Sequence, residues 1–248
     1  MEKIVTQVAV PVAVVVVLLF VPAALVAQCC GDCNGDGQVT IDEILKVVNR
    51  ALGSTCTPQS GGQQFPATGQ TTCWDTNGNV IACNGTGQDG QIQAGGALAY
   101  ADNGDGTITD LNTHLMWEKK SWDGSIHDQS NGYTWADAFS TFIGGLNAGG
   151  GFAGYTDWRL PNVKELESII NYQNFEPAVS AAFNANCAPG CTVTTCSCTQ
   201  SLSYWSSTTY QGSPSFAWLV SFGDGGVSGN TKVMSLVSLY VRAVRGGS

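Results

Sequence analysis

Charge is scarce in this sequence: only 12% of its residues are Asp, Glu, Lys or Arg, about half the ~25% of an ordinary globular chain. Cations are scarcer still, with 10 Lys and Arg against 19 Asp and Glu and a net charge of -9. The basic residues lie scattered, Lys46, Lys119, Lys120, Arg159 and Arg242 among them, and no basic run exceeds two. Such a chain has no stripe able to neutralise phosphates, which excludes nucleic acid as the expected partner. Histidine is nearly absent, with two in 248 residues. His114 and His127 stand in contexts that read as surface or strand positions, and no nucleophile, base and acid converge in the sequence, so catalysis is not expected.

What the chain does have is apolar content, glycine and cysteine: 43% hydrophobic residues, 31 Gly and 10 Cys. That hydrophobic share excludes a disordered chain, and the length allows one large domain plus a small unit. Ten cysteines are ordinary for an exported protein held by disulfides and unusual where thiols stay reduced. Residues 8–27 (VAVPVAVVVVLLFVPAALVA) are uncharged and apolar, follow Lys3, and end at Ala27 before Gln28. Residues 1–27 therefore read as a signal peptide, which predicts a secreted or cell-surface protein. The competing reading is an uncleaved anchor, the one route by which the chain would meet a membrane, although Pro11 and Pro22 interrupt a spanning helix. Gln28 sits where a lipoprotein signal needs a small residue.

Residues 32–43 (DCNGDGQVTIDE) fill a twelve-residue EF-hand loop place by place. Asp32, Asn34 and Asp36 supply oxygens at the first, third and fifth places, and Gly37 allows the sharp bend at the sixth. Gln38 offers its carbonyl, Thr40 a direct or water-mediated contact, and Glu43 a bidentate carboxylate, an oxygen cage suited to Ca2+. Ile41, Ile44, Leu45, Val48 and Leu52 then recur at helical spacing up to Gly53. This loop and helix resemble one half of a dockerin module, a family of paired calcium segments that dock onto protein partners; here there is a single segment, within residues 28–57. Cys29, Cys30, Cys33 and Cys56 flank it, and a bridge from Cys56 to one of the other three would staple a unit too small for its own core. Residues 102–110 (DNGDGTITD) imitate the loop but put glycines where ligands belong, and read as a turn between strands.

Residues 58–70 lack charge and periodicity and read as a linker, leaving 71–248 as the large domain. Cys73 and Cys83 bracket a hairpin turning at Asn77-Gly78. A helix is expected over 135–147, opened by Thr134 and Asp137, and a second after the Asn162/Glu165 capping pair. Alternating runs at 203–208, 216–222, 231–236 and 239–245 predict antiparallel strands. Cys187, Cys191, Cys196 and Cys198 lie within twelve residues; in an exported chain they read as two disulfides pinning a loop, and elsewhere as zinc or a redox pair. Trp117, Trp158 and Trp205 sit among apolar neighbours and read as core. Trp122 and Tyr210 lie in polar, glycine- and serine-containing loops and are the candidate ligand-stacking aromatics.

The order DNGDGTITD, LMWEK (115–119), YTWADAF (133–139), WRLPNVKELESI (158–169), YWSST (204–208) and YVRAVRG (240–246) resembles the Lcl C-terminal domain family of bacterial collagen-like adhesins, from about Phe65 to the end of the chain. The resemblance implies an α+β domain with a C-type lectin-like fold: a twisted antiparallel sheet, two helices and long loops. It also implies adhesion, with a carbohydrate or an extracellular protein as partner. The calcium-dependent sugar motifs of animal C-type lectins are absent, Glu176-Pro177-Ala178 being the nearest approach. The family is related to formylglycine-generating enzymes, whose chemistry needs cysteines near the C-terminus; the last fifty residues here hold none. Sulfated polysaccharides, linked to some members, require a local basic patch around Arg159, Lys164 or Lys232 in so acidic a domain. Neutral glycans or proteins are the expected partners. The alternative is a dockerin-like assembly role, capturing a protein partner in a calcium-dependent way.

Overall fold

The computed structural model describes residues 65–233 and 239–246. The signal segment 1–27, the loop ligands Asp32, Asn34, Asp36, Gln38, Thr40 and Glu43, and Cys56 lie outside the described residues. Among the described residues no helix is long and apolar enough to cross a membrane.

The chain first forms the expected hairpin. β1 (Cys73–Trp74) pairs antiparallel with β2 (Val80–Ile81), and the Asp75 carboxylate accepts the N–H groups of Asn77 and Asn79 at 2.9 Å each while Gly78 takes φ +82°. Asp75 thereby acts as an Asx cap on the turn, and a Cys73–Cys83 bridge closes it. A single turn, α1 (Asp89–Ile92), follows.

The first sheet has the order β3 (Tyr100–Asp102), β4 (Thr107–Asp110), β5 (Met116–Glu118), β9 (Val244–Arg245), all antiparallel. The β3–β4 connection is the glycine turn that the sequence predicts. Its acidic oxygens are engaged: Asp102 accepts from Lys119 Nζ at 2.7 Å and from Gly104 N, and Asp105 accepts from Thr107 N and Oγ1.

Two helices lie in the middle of the chain. α2 joins Trp135–Asp137, a π-type stretch Ala138–Ile143 and Gly144–Asn147, so the expected helix over 135–147 is present with one widened turn. The Thr134 hydroxyl caps it by accepting from Asp137 N. α3 (Val163–Ser168) opens with the full capping box: the Asn162 side chain accepts from Glu165 N at 2.9 Å and Glu165 accepts from Asn162 N at 2.7 Å. Each arrangement satisfies N–H groups that a helix start leaves without partners.

The second sheet is β6 (Ser203–Thr209), β7 (Phe216–Ser221) and β8 (Val227–Thr231). Two strand expectations are corrected here. The third strand reaches Thr231 from Val227, because Gly225 at φ +83° turns the chain early and brings Val227 opposite Val220, and residues 234–236 of the expected run lie outside the described residues. The run 239–245 is not one strand either. Tyr240 bridges to Tyr204 of β6, Leu239 to Tyr133, and only Val244–Arg245 joins β5. This segment runs from one sheet to the other, and the expected single sheet is two sheets sharing that connection.

Two apolar clusters fill the interior. Trp117, Leu166, Ile169, Phe183, Tyr204 and Phe222 belong to one, and Phe142, Leu146, Trp158, Trp205 and Leu219 to the other. All three tryptophans expected in the core are there, at 0–2% exposure. Trp158 Nε1 donates to Phe152 O and Trp205 Nε1 to Tyr133 O, which supplies the polar partner that buried indoles need. The whole is an α+β arrangement of antiparallel sheets with few helices.

Candidate functional site

An uncharged groove of about 260 Å³ lies where the segment before β1 crosses the loop after α3. Residues 65–70, at the end of the expected linker, are packed onto the domain. Ala67 N donates to Gly96 O, Gly96 N to Phe65 O, and Tyr172 N to Thr68 O, all at 2.8 Å. Thr68 Oγ1 also donates to Asp89. Further along, the Gln173 side-chain oxygen accepts from Thr71 N at 2.7 Å and from Thr72 N at 3.1 Å. Gly69 has φ +80°, and a Cβ there would fall on the Asn171 side chain, so the strap's close approach depends on glycine.

Thr68, Gln70, Thr71, Gln93, Asn171 and Ser180 give the groove its polar lining and Leu98 adds an apolar surface. None of the lining residues is charged. Hydroxyl and amide groups beside an apolar patch suit a neutral ligand rich in hydroxyls, since no lining group carries a charge to desolvate; several of these groups also bond one another, as Asn171 Nδ2 does to Ser180 Oγ at 3.2 Å. Neither Trp122 nor Tyr210 lines it. The Trp122 ring is 42% exposed, and its backbone is tied to the cysteine loop, its N–H donating to Cys191 O at 2.9 Å and its carbonyl accepting from Gly190 N at 2.6 Å. Tyr210 is 39% exposed and stacks edge-on against Trp218 at 4.9 Å. The two rings occupy separate loops and do not pair.

Among the described residues, each of the three cations named for a sulfated ligand already has a partner. Arg159 is locked in a two-pronged pair with Glu165 at 2.7 and 2.8 Å, and Lys164 pairs with Glu167 at 2.7 Å. Lys232 donates to Thr209 Oγ1 and lies over the Trp135 ring.

Beneath the surface lies a charged cluster that the sequence reading missed. Glu118 and Lys120 are both buried; Lys120 Nζ donates to Glu118 Oε1 at 3.2 Å. His127 Nδ1 lies 2.8 Å from the same oxygen, and Ala243 N donates to the other. His127 is thus no isolated surface residue: its side chain is 15% exposed and stacks on Phe152. Burial pushes the Glu118 carboxyl up, but the Lys120 ammonium, His127 and the Ala243 N–H outweigh it and hold it below its ordinary value. Desolvation lowers Lys120 despite Glu118. Fully buried Arg242 donates to Glu118 O, Cys198 O and Thr199 Oγ1 at 2.7–2.8 Å, tying β5 to the cysteine loop and the last segment. Burial raises the nearby Tyr204 phenol to about 12, with Arg242 opposing. A carboxylate on an imidazole can orient a base, but among the described residues the His127 ring bonds to Glu118 alone. The legible signal was EKK directly after core Trp117 and an arginine between Val241 and Ala243.

The four clustered cysteines form the expected two disulfides, Cys187–Cys198 and Cys191–Cys196. No curated protein matches the chain. The model of the Lcl C-terminal domain matches residues 106–245, more than half of the chain and starting later than the expected Phe65. Asn171 and Ser180 of the groove fall inside that match, and the 65–71 strap and the 93–98 segment precede it. With the second sheet, strands β4, β5 and β9 of the first, both helices and the buried tryptophans inside the matched stretch, the chain belongs to the Lcl C-terminal domain family.

Proposed function

We propose that this is an exported, adhesin-like recognition protein whose C-type lectin-like domain binds neutral carbohydrate in the uncharged groove. The observation that carries the reading is the groove's lining: hydroxyl and amide side chains beside Leu98, two alanines and two glycines, with no charged side chain. The pairing of Arg159 and Lys164 with carboxylates supports a neutral ligand over a sulfated one. An acidic chain would repel polyanions at long range as well. Catalysis forms no part of the reading.

The test is a panel of immobilised neutral and sulfated polysaccharides probed with the full-length protein and with Ala97→Trp. Ala97 is exposed at the groove, so a large ring there fills the space at little cost to folding. Saturable binding to neutral glycans, weakened about tenfold or more by the substitution (~1.4 kcal/mol), is the expected result. Binding confined to sulfated chains, or unaffected by Ala97→Trp, would refute the groove. A second reading rests on Trp122, exposed and tied to a stapled loop; it predicts loss of binding in Trp122→Ala with Ala97→Trp unaffected.

The loop formed by Asp32, Asn34, Asp36, Gln38, Thr40 and Glu43 is proposed to hold Ca2+ as a structural ion, with an extracellular affinity of about 10⁻⁴ to 10⁻³ M. It would order a stalk ahead of the domain or, in the alternative role, present a dockerin-like face to a protein partner. Asp36→Ala is expected to abolish calcium binding in a calorimetric titration while leaving glycan binding intact. An unchanged titration would remove the loop from the account.

A further inference from the structure

Taking the groove as the carbohydrate site, we propose that it selects N-acetylated amino sugars: Ser180 donates to the acetamido oxygen, Gln93 accepts the acetamido N–H and Leu98 covers the methyl group. The lining divides by the hydrogen-bonding capacity each group has left. Thr68 is spent, its hydroxyl donating to Asp89 and accepting from Gln70 N. Thr71 Oγ1 donates to Gln173 Oε1 at 3.2 Å. Asn171 Oδ1 accepts from Gln173 N at 3.0 Å, which fixes the orientation of that amide, and its Nδ2 donates to Ser180 Oγ.

Ser180 differs from these. A serine hydroxyl has two acceptor sites and one proton, and the Asn171 amide takes one acceptor site. The neighbouring Tyr100 hydroxyl is buried and, among the described residues, makes no hydrogen bond. Burial and the Asp110 carboxylate push that phenol up while the Ser180 hydroxyl pulls against them, which makes the two hydroxyls neighbours. A buried donor without a partner is costly, and Ser180 Oγ is the acceptor at hand. With both acceptor sites engaged from the protein side, the Ser180 proton is left for the groove.

Gln93 also keeps capacity. Its Nε2 donates to Gly90 O at 3.1 Å, and among the described residues its Oε1 has no donor. It closes α1 at φ +46°, a left-handed position that commonly goes to glycine, so a side chain is kept where the backbone would do better without one. Leu98 stands beside the Asn171–Ser180 pair, because a Cβ on Gly69 would touch both Asn171 Oδ1 and Leu98 Cδ1. A donor, an acceptor and a small apolar surface match an acetamido group, whose carbonyl accepts, whose N–H donates and whose methyl gains from cover. A plain sugar hydroxyl leaves Leu98 facing water. The volume of about 260 Å³ falls just below the ~300–1,000 Å³ of drug-sized sites and suits one sugar residue.

The experiment titrates the full-length protein with the methyl glycosides of N-acetylglucosamine and N-acetylgalactosamine, with those of glucose and galactose, and with the linear trimer of N-acetylglucosamine. NMR shifts give the affinities, and saturation transfer maps the ligand protons nearest the protein. The acetamido sugars should bind about tenfold tighter than their parents, with the strongest transfer on the acetyl methyl. A trimer that binds tighter than the single sugar places the recognised residue within a chain, and one that binds equally places it at a terminus. Ser180→Ala should shrink the preference to about threefold or less, and the comparison of ligands on the wild-type protein holds even where that variant fails to fold. Equal affinity for acetamido and parent sugars, with binding still sensitive to Ala97→Trp, would overturn the acetamido preference and leave the groove standing. No binding of any of these sugars, or binding indifferent to Ala97→Trp, would overturn both.

Discussion

Glu118→Gln is expected to destabilise the domain by about 3–5 kcal/mol, because it leaves the buried Lys120 ammonium without its counter-ion. The shape of the side chain is preserved and the amide oxygen can still accept from Ala243 N, so lost packing does not explain the effect. Denaturant unfolding of the two proteins measures it. Glu118→Gln/Lys120→Met removes both charges and should recover a large part of the loss, since apolar replacement of a buried pair is often neutral or better. Acid makes the same point. The folded carboxyl lies below its ordinary value of 4.5, so its stabilisation is fully present above that value and is lost as pH falls through the lower folded value. Wild-type stability should decline below pH 4.5 with a component that the single variant lacks. A single variant as stable as wild type, with the same acid profile, would mean that the cluster contributes nothing to folding.

Reduction is the second large effect. The bridges close loops of 10, 11 and 5 residues' separation, for which chain entropy gives about 2–3 kcal/mol each. The loss should not be uniform. Cys198 is hydrogen-bonded to Lys120 through its N–H and to Arg242 through its carbonyl, so cutting Cys187–Cys198 loosens the charged cluster, whereas cutting Cys73–Cys83 frees a hairpin with Val80 and Ile81 exposed. Thermal melts with and without a phosphine reductant, in a metal chelator, should differ by well over 5 °C for a domain of this size. Cys73→Ser/Cys83→Ser should account for the smaller share. A melting temperature indifferent to reductant would contradict the disulfide assignments.

Local chemistry made much of this fold legible. Asn162 with Glu165 and Thr134 with Asp137 mark helix starts wherever they precede an apolar stripe, and Asn77-Gly78 between closely spaced cysteines marks a hairpin. Trp117, Trp158 and Trp205 were readable as core from their apolar neighbours. What escaped depends on contacts between distant parts of the chain. The groove exists because Gln173 receives Thr71 and Thr72 about a hundred positions away, and polar residues in loops carry no periodicity that would reveal it. Residues 65–70 look like linker because their partners are backbone groups of Gly96 and Tyr172, which leave no mark on side-chain composition. The charged cluster was hidden by the general rule that Glu and Lys face water; only their place beside Trp117 and Ala243 hints otherwise. The run 239–245 alternates like a strand because it passes between two sheets and is buried by both.

The most direct measurement of the central claim is an NMR titration of the full-length protein with a neutral oligosaccharide, following side-chain amide and aromatic signals. The account predicts saturable shifts at the Gln70, Gln93 and Asn171 amides, with the Trp122 indole and the Tyr210 ring unmoved. Shifts at Trp122 or Tyr210 with the three amides silent would contradict it and place the ligand on the exposed loops.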